Sequence, residues 1–155
     1  MTHNDYMREA IQLATENVAK GGGPFGAVIV RNGEIIATGV NRVTDSHDPT
    51  AHAEVNAIRE ACRILGTFSL QGCTIYTSCE PCPMCLGAIY WAHIDRIYYG
   101  CNKLQAAHIG FDDSFIYQEM ALEPAQRHKA MHELLPEEAI KAFEAWQAKD
   151  DKIAY

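Results

Sequence analysis

No apolar run in the chain approaches the roughly 18 residues that suggest a membrane span. The first residues, Met1-Thr2-His3-Asn4-Asp5, carry neither the basic flank nor the apolar block of a secretory signal. A cytoplasmic protein with no membrane partner is therefore expected. Basic charge is also scarce: 13 lysines and arginines stand against 20 aspartates and glutamates, a formal net charge of −7. Binding a polyanion relies on lysine and arginine to neutralise phosphates. The basic residues here are scattered, and the last predicted helix carries Glu137, Glu138, Glu144, Asp150 and Asp151. No nucleic-acid partner is expected, whereas a small neutral substrate needs no such field. Internal repeats, low-complexity tracts and linkers are absent as well. A chain of 155 residues is long enough for one sizeable core, so residues 1–155 read as a single domain.

What the chain does have is six cysteines, which in a reducing compartment point to metal or core rather than disulfides. Cys62, Cys73 and Cys101 stand alone and read as core thiols. The other three fall within Ser78-Cys79-Glu80-Pro81-Cys82-Pro83-Met84-Cys85, and upstream lies Ala51-His52-Ala53-Glu54. Zinc favours nitrogen and sulfur ligands in a tetrahedron, and three protein ligands leave a fourth position for water. His52, Cys82 and Cys85 would be those three, with Glu54 uncoordinated beside them. A carboxylate next to such a water suits proton transfer. Cys79 and Cys82 form an equally spaced pair, so spacing leaves open a structural site closed by Cys79. His3, His47, His93, His108, His128 and His132 have no such company and read as ordinary core or surface residues.

In chain order, Met7, Ile11, Ala14 and Val18 recur at helical spacing over residues 4–19, and Gly21-Gly22-Gly23-Pro24 ends that helix. Residues 25–31 read as a buried strand, Asn32-Gly33 as a hairpin turn, and residues 34–40 as the returning strand. A helix is expected over 51–65, a strand over 73–77, a helix over 83–92 and a strand over 96–100. His52 and Glu54 lie two apart, so they share one site only at a helix's first turn. Both ligand groups then sit at helix N-termini, whose partial positive charge favours thiolates. Short helices are expected over 104–109 and 114–120, the latter capped by Asp113 or Ser114. Residues 127–134 suit strand or helix, and Pro136 opens a final helix towards Lys149. Alternating strands and helices with short connections predict a three-layer α/β/α sandwich.

H-x-E followed by P-C-x-x-C is a signature of zinc-dependent nucleobase deaminases. Pro24 to Val30, Asp48 to Glu54 and Thr77 to Trp91 resemble the cytidine-deaminase superfamily. Gly110-Phe111-Asp112-Asp113-Ser114-Phe115-Ile116-Tyr117 and the terminal Tyr155 resemble its short bacterial guanine deaminases, and the similarity runs along nearly the whole chain. The resemblance implies a five-stranded mixed sheet, Zn²⁺ on His52, Cys82 and Cys85, and Glu54 as the proton-transferring catalyst. It further implies that Asn41, Asp113 and Tyr155 contribute to a nucleobase pocket, in a homodimer whose C-terminal segments are exchanged. Asn41 can donate and accept along a purine edge, and Phe25 and Trp91 offer faces for stacking or for the core. A tRNA adenosine deaminase, a deaminase of cytosine or another aminated heterocycle, and a structural zinc module are the competing functions.

Overall fold

The computed structural model describes residues 1–155, which divide into two compact units, 1–114 and 115–155. In the first unit, α1 (His3–Ala19), β1 (Gly26–Arg31), β2 (Glu34–Val40), α2 (Ala53–Leu65), β3 (Cys73–Cys79), α3 (Pro83–Trp91), β4 (Arg96–Cys101) and α4 (Lys103–His108) follow one another. The strands form one mixed sheet in the order β2-β1-β3-β4. Both pairings of β1 are antiparallel, and β3 pairs with β4 in parallel. Asn32 and Gly33 both have positive φ, as a tight turn between β1 and β2 demands.

Strand β1 is apolar on both faces because a helical layer covers each one. Val28 and Val30 pack with Tyr6 and Tyr76 under α1. Ala27 and Ile29 pack with Ala53, Ala57, Ala61, Ile75 and Ile89 under α2 and α3. The three-layer expectation holds in this unit. No helix is long and apolar enough to cross a membrane.

The buried face of α1 differs from the periodicity reading. In α1 the buried residues are Tyr6, Ala10, Ala14 and Asn17, whereas Ile11 and Val18 are exposed. The reason is a close approach: a Cβ on Gly26 would lie 2.4 Å from the Ala10 carbonyl oxygen. Only small residues fit where the helix backbone rests on the strand, so Ala10 and Ala14 displace the larger side chains outward. On the other face, α2 approaches Gly39 in the same way.

The expected fifth strand is absent, and the sheet has four. The second unit instead contains the rest of α5 (Ser114–Met120), a short 3₁₀ turn at Pro124–Gln126 and α6 (Pro136–Ala148). Residues 127–134 form neither strand nor helix. Here the His128 N–H donates to the Glu119 carboxylate, and the Arg127 side chain donates to the carbonyls of Glu119 and Leu122. These bonds tie the start of the segment to the end of α5 and the turn after it. Cys101 also departs from expectation. It ends the edge strand β4 and is exposed, while Cys73 is buried and Cys62 half-buried.

Gly39→Ala probes the fit of α2 on the sheet. The added Cβ would lie 2.2 Å from the Ala53 carbonyl oxygen and 2.5 Å from the Ala57 nitrogen. Backbone atoms cannot rotate away, so a loss of about 1–3 kcal/mol is expected. It would appear as a lower denaturation midpoint at unchanged slope.

Candidate active site

The two stretches singled out by spacing meet at the N-termini of α2 and α3. His52 is the N-cap of α2 and Cys82 the N-cap of α3, both with extended backbone. N-cap positions normally hold Ser, Thr, Asp or Asn, whose side chains satisfy free N–H groups. Neither His52 nor Cys82 makes a side-chain cap bond. Their side chains turn towards each other instead. Pro83 begins α3 without needing a hydrogen-bond partner for its nitrogen, and Cys85 follows one turn on, fully buried.

His52 Nδ1 lies 3.5 Å from the sulfur of Cys82 and 3.5 Å from that of Cys85. All three donor atoms fall within 4.8 Å of one another. A zinc ion with ordinary Zn–S and Zn–N bonds at a tetrahedral angle would set sulfur and nitrogen about 3.6 Å apart. The donor set and its spacing fit zinc. Cys79 is not among the converging donors.

Glu54 sits in the first turn of α2, as the spacing argument required, and is only 6% exposed. Burial raises its carboxyl above the ordinary glutamate range. The Cys82 thiol is pushed down to about 4, chiefly because Cys85 and His52 hydrogen-bond to its anionic form. The Cys85 thiol is raised, first because it donates that hydrogen bond and then by burial. His52 is raised by its bond to Cys82. Cys79 is raised to about 11 by burial and by Glu54, and is an inert neighbour.

Of the substrate candidates, Asn41 follows the end of β2 and is half-buried, its Oδ1 accepting the Val43 N–H at 3.1 Å. Phe25 packs against the α2-side core and meets Phe111 edge-on, with centroids 4.9 Å apart. Phe111 was not among the expected contacts, although the Gly110-led loop that carries it was. Asp113 is half-buried, and its carboxyl is raised by desolvation and then by Cys82. The adjacent Asp112 carboxylate accepts the N–H of Ser114, the first residue of α5, at 2.9 Å. The Glu80 carboxylate accepts the Lys103 N–H, and the Glu80 N–H donates to the Cys101 carbonyl, bracing the turn before Cys82.

Trp91 does not join this group. It is the last residue of α3, about 9 Å along the helix axis from Cys85. It is 68% exposed and lines a separate apolar cavity of about 680 Å³ with Phe68, Ile58 and Cys62. Tyr155 ends the second unit, 76% exposed.

Residues 1–101 match the family model of the cytidine and deoxycytidylate deaminase zinc-binding region. The guanine deaminase of Bacillus subtilis is 51% identical over 156 residues, covering 100% of both chains. The X-ray structure of guanine deaminase from Bacillus subtilis superimposes with a TM-score of 0.97, covering 100% of this chain and 99% of that one. A tRNA-specific adenosine deaminase of Bacillus subtilis is 46% identical over 101 residues, covering 64% of this chain and 63% of its own.

Metal affinity is expected to climb with pH. Below the raised His52 value the imidazole is protonated and competes with the ion, and the Cys85 proton must also leave. Competition against a chelator from about pH 6 to about pH 9 should give steadily tighter binding, and a flat profile would contradict the donor assignment. On the match across residues 1–101 and the relative that aligns along the full length, the chain belongs to the cytidine and deoxycytidylate deaminase family.

Proposed function

We propose that the chain is a zinc-dependent aminohydrolase that converts guanine and water to xanthine and ammonia in purine catabolism or salvage. The observation that carries the choice of base is similarity to a guanine deaminase over 100% of the chain, where that to a tRNA-specific adenosine deaminase covers 64%. The net charge of −7 also favours a small base over a folded RNA.

In this reading His52, Cys82 and Cys85 hold the zinc. When bound, the ion acts as a Lewis acid that lowers the pKa of a water from ~15.7 to about 7. Glu54 takes a proton from the attacking water and delivers it to a ring nitrogen as the hydroxyl adds to C2. It then takes the proton of that hydroxyl and gives it to the amine as the C2–N bond breaks and the C2 carbonyl forms. Its burial suits both halves of that cycle, because a raised carboxyl can return a proton as well as accept one. Asn41 reads the polar edge of the base, Asp113 accepts its N–H groups, and Phe25 flanks the ring. Trp91 in this scheme lies outside the pocket of its own subunit.

The assembly proposed is a cytoplasmic homodimer in which residues 115–155 are exchanged and Tyr155 closes the partner's pocket. Ile140, Phe143 and Trp146 of α6 are exposed apolar side chains at helical spacing, which supports a docking role for that helix. Six free thiols accord with a reducing compartment.

Ammonia release from zinc-loaded protein should occur with guanine and not with adenine, cytosine, guanosine or a tRNA anticodon stem-loop. Activity on the stem-loop alone would replace the substrate, and silence on every base would leave a structural zinc module. Glu54→Gln should retain zinc and lose about 10²–10⁴-fold in turnover. The acid limb of the kcat profile should lie above the ordinary glutamate value of about 4.3, since activity needs the carboxylate and burial raises its pKa. Mixing Glu54→Gln with a variant lacking Tyr155 should restore activity, because the intact Glu54 site then receives the other subunit's tail. Continued inactivity after subunit exchange would assign the tail to its own subunit.

A further inference from the structure

Asparagine is a weak choice for a helix interior because its short amide competes for backbone groups. Asn17 nevertheless lies in the last turn of α1 and is only 8% exposed. Its Nδ2 donates to the carbonyl of Gly23 at 2.8 Å and to the carbonyl of Asn41 at 2.9 Å. Its own carbonyl accepts the Gly22 N–H at 2.9 Å. One side chain thus uses both of its donors to tie the glycine loop to the end of β2.

The loop it holds packs on the Asn41 side chain. A Cβ on Gly23 would come within 3.1 Å of Asn41 Cγ and 3.2 Å of its Oδ1. Asn41 is held along its backbone by the Phe25 carbonyl, which accepts its N–H, and by Asn17 at its own carbonyl. Its Oδ1 takes the Val43 N–H, so the amide plane is set and Nδ2 is left for a ligand. Gly21-Gly22-Gly23 is a run with little intrinsic preference, and Gly21 has a φ of +89°. Without an anchor that loop would sample many positions, and the Asn41 side chain with it.

We infer that Asn17 is a positioning residue for base recognition: through the carbonyls of Gly23 and Asn41 it fixes the amide that reads the substrate's edge. The inference rests on the reading of Asn41 as a substrate contact. It concerns binding of the base, not zinc or proton transfer, since Asn17 touches neither Glu54 nor the ligand cluster in any hydrogen bond.

The test is a double-mutant cycle on guanine affinity, measured by calorimetry in the zinc-loaded Glu54→Gln protein so that binding is read without turnover. Asn17→Ala and Asn41→Ala should each weaken guanine binding about tenfold, the loss of one well-placed hydrogen bond. The double variant should bind no more weakly than Asn41→Ala alone, because the effect of Asn17 passes through that side chain. Zinc content and the far-ultraviolet spectrum should be unchanged throughout. Gly22→Ala supplies an independent perturbation, since its Cβ would lie 2.3 Å from Asn17 Nδ2 and push the amide aside. It should reproduce the Asn17→Ala loss, and it carries the test if Asn17→Ala does not fold.

Multiplying losses in the double variant, or loss of zinc along with affinity, would make Asn17 a structural residue only and overturn the inference. Unchanged affinity in Asn17→Ala would do the same. If Asn41→Ala binds guanine normally, the assignment of Asn41 fails and takes this inference with it, while the zinc chemistry stands. If the Glu54→Gln protein with Asn17 and Asn41 intact does not bind guanine, the choice of base itself is at fault.

Discussion

Two helices end their first turns against each other, and the chemistry depends on that meeting. The N-caps and first turns of α2 and α3 bring one imidazole and two thiols within 4.8 Å, the thiols lying 30 and 33 positions along the chain from the imidazole. Each helix contributes partial positive charge at that end, which favours the thiolate at Cys82 and the anionic state of whatever occupies the fourth position. The price is two unmade side-chain caps, at His52 and Cys82. Replacing an ordinary capping side chain costs typically ~1 kcal/mol. Binding of a structural-type zinc is worth several times that, so metal binding readily offsets it.

The meeting is enforced from behind by small residues. Alpha-helix α2 rests directly on Gly39, and Ala53, Ala57 and Ala61 form its inner face. Because there is no room for a larger side chain, the helix cannot slide or rotate without a clash, and the first-turn residues are held in place. The same compact layer buries Glu54, and burial raises its carboxyl. Packing density and proton affinity at this site therefore have one cause.

On the other edge of the site, polar groups of the backbone carry the load. Asn17 from α1 and Asn56 from α2 each use their amide on carbonyls flanking the end of β2: Asn17 on Asn41, Asn56 on Val40 at 2.8 Å. The loop leading to His52 joins them, since the Arg42 N–H donates to the Ala51 carbonyl, which also accepts from Asn56. The segment presenting Asn41 and the segment presenting His52 are thereby one hydrogen-bonded unit. No apolar packing could fix two loop backbones in this way, because their carbonyls need partners.

The local grammar of the chain was legible without the fold. Ligand pairs, the hairpin at Asn32-Gly33, the helix start at Pro136 and the first-turn placement of Glu54 each depend on a few consecutive residues, and short-range sterics decide them. The three-layer order followed from alternation, and the whole-chain resemblance pointed to the donor set. Other features required the tertiary structure. Ile11 and Val18 lie outside because α1 touches Gly26, an approach that hydrophobic spacing does not encode. Cys101 is exposed because β4 is an edge, which depends on strand order. Residues 127–134 form neither strand nor helix, and their His128 N–H goes to the Glu119 carboxylate, a pairing that periodicity does not encode. Trp91 stands apart from the ligands because it is a full α3 length from the N-cap. The sequence by itself determined which groups could do chemistry, since donor type and spacing are local properties. Which of them meet was decided only by the tertiary structure, since close approach and edge position are properties of the packed whole.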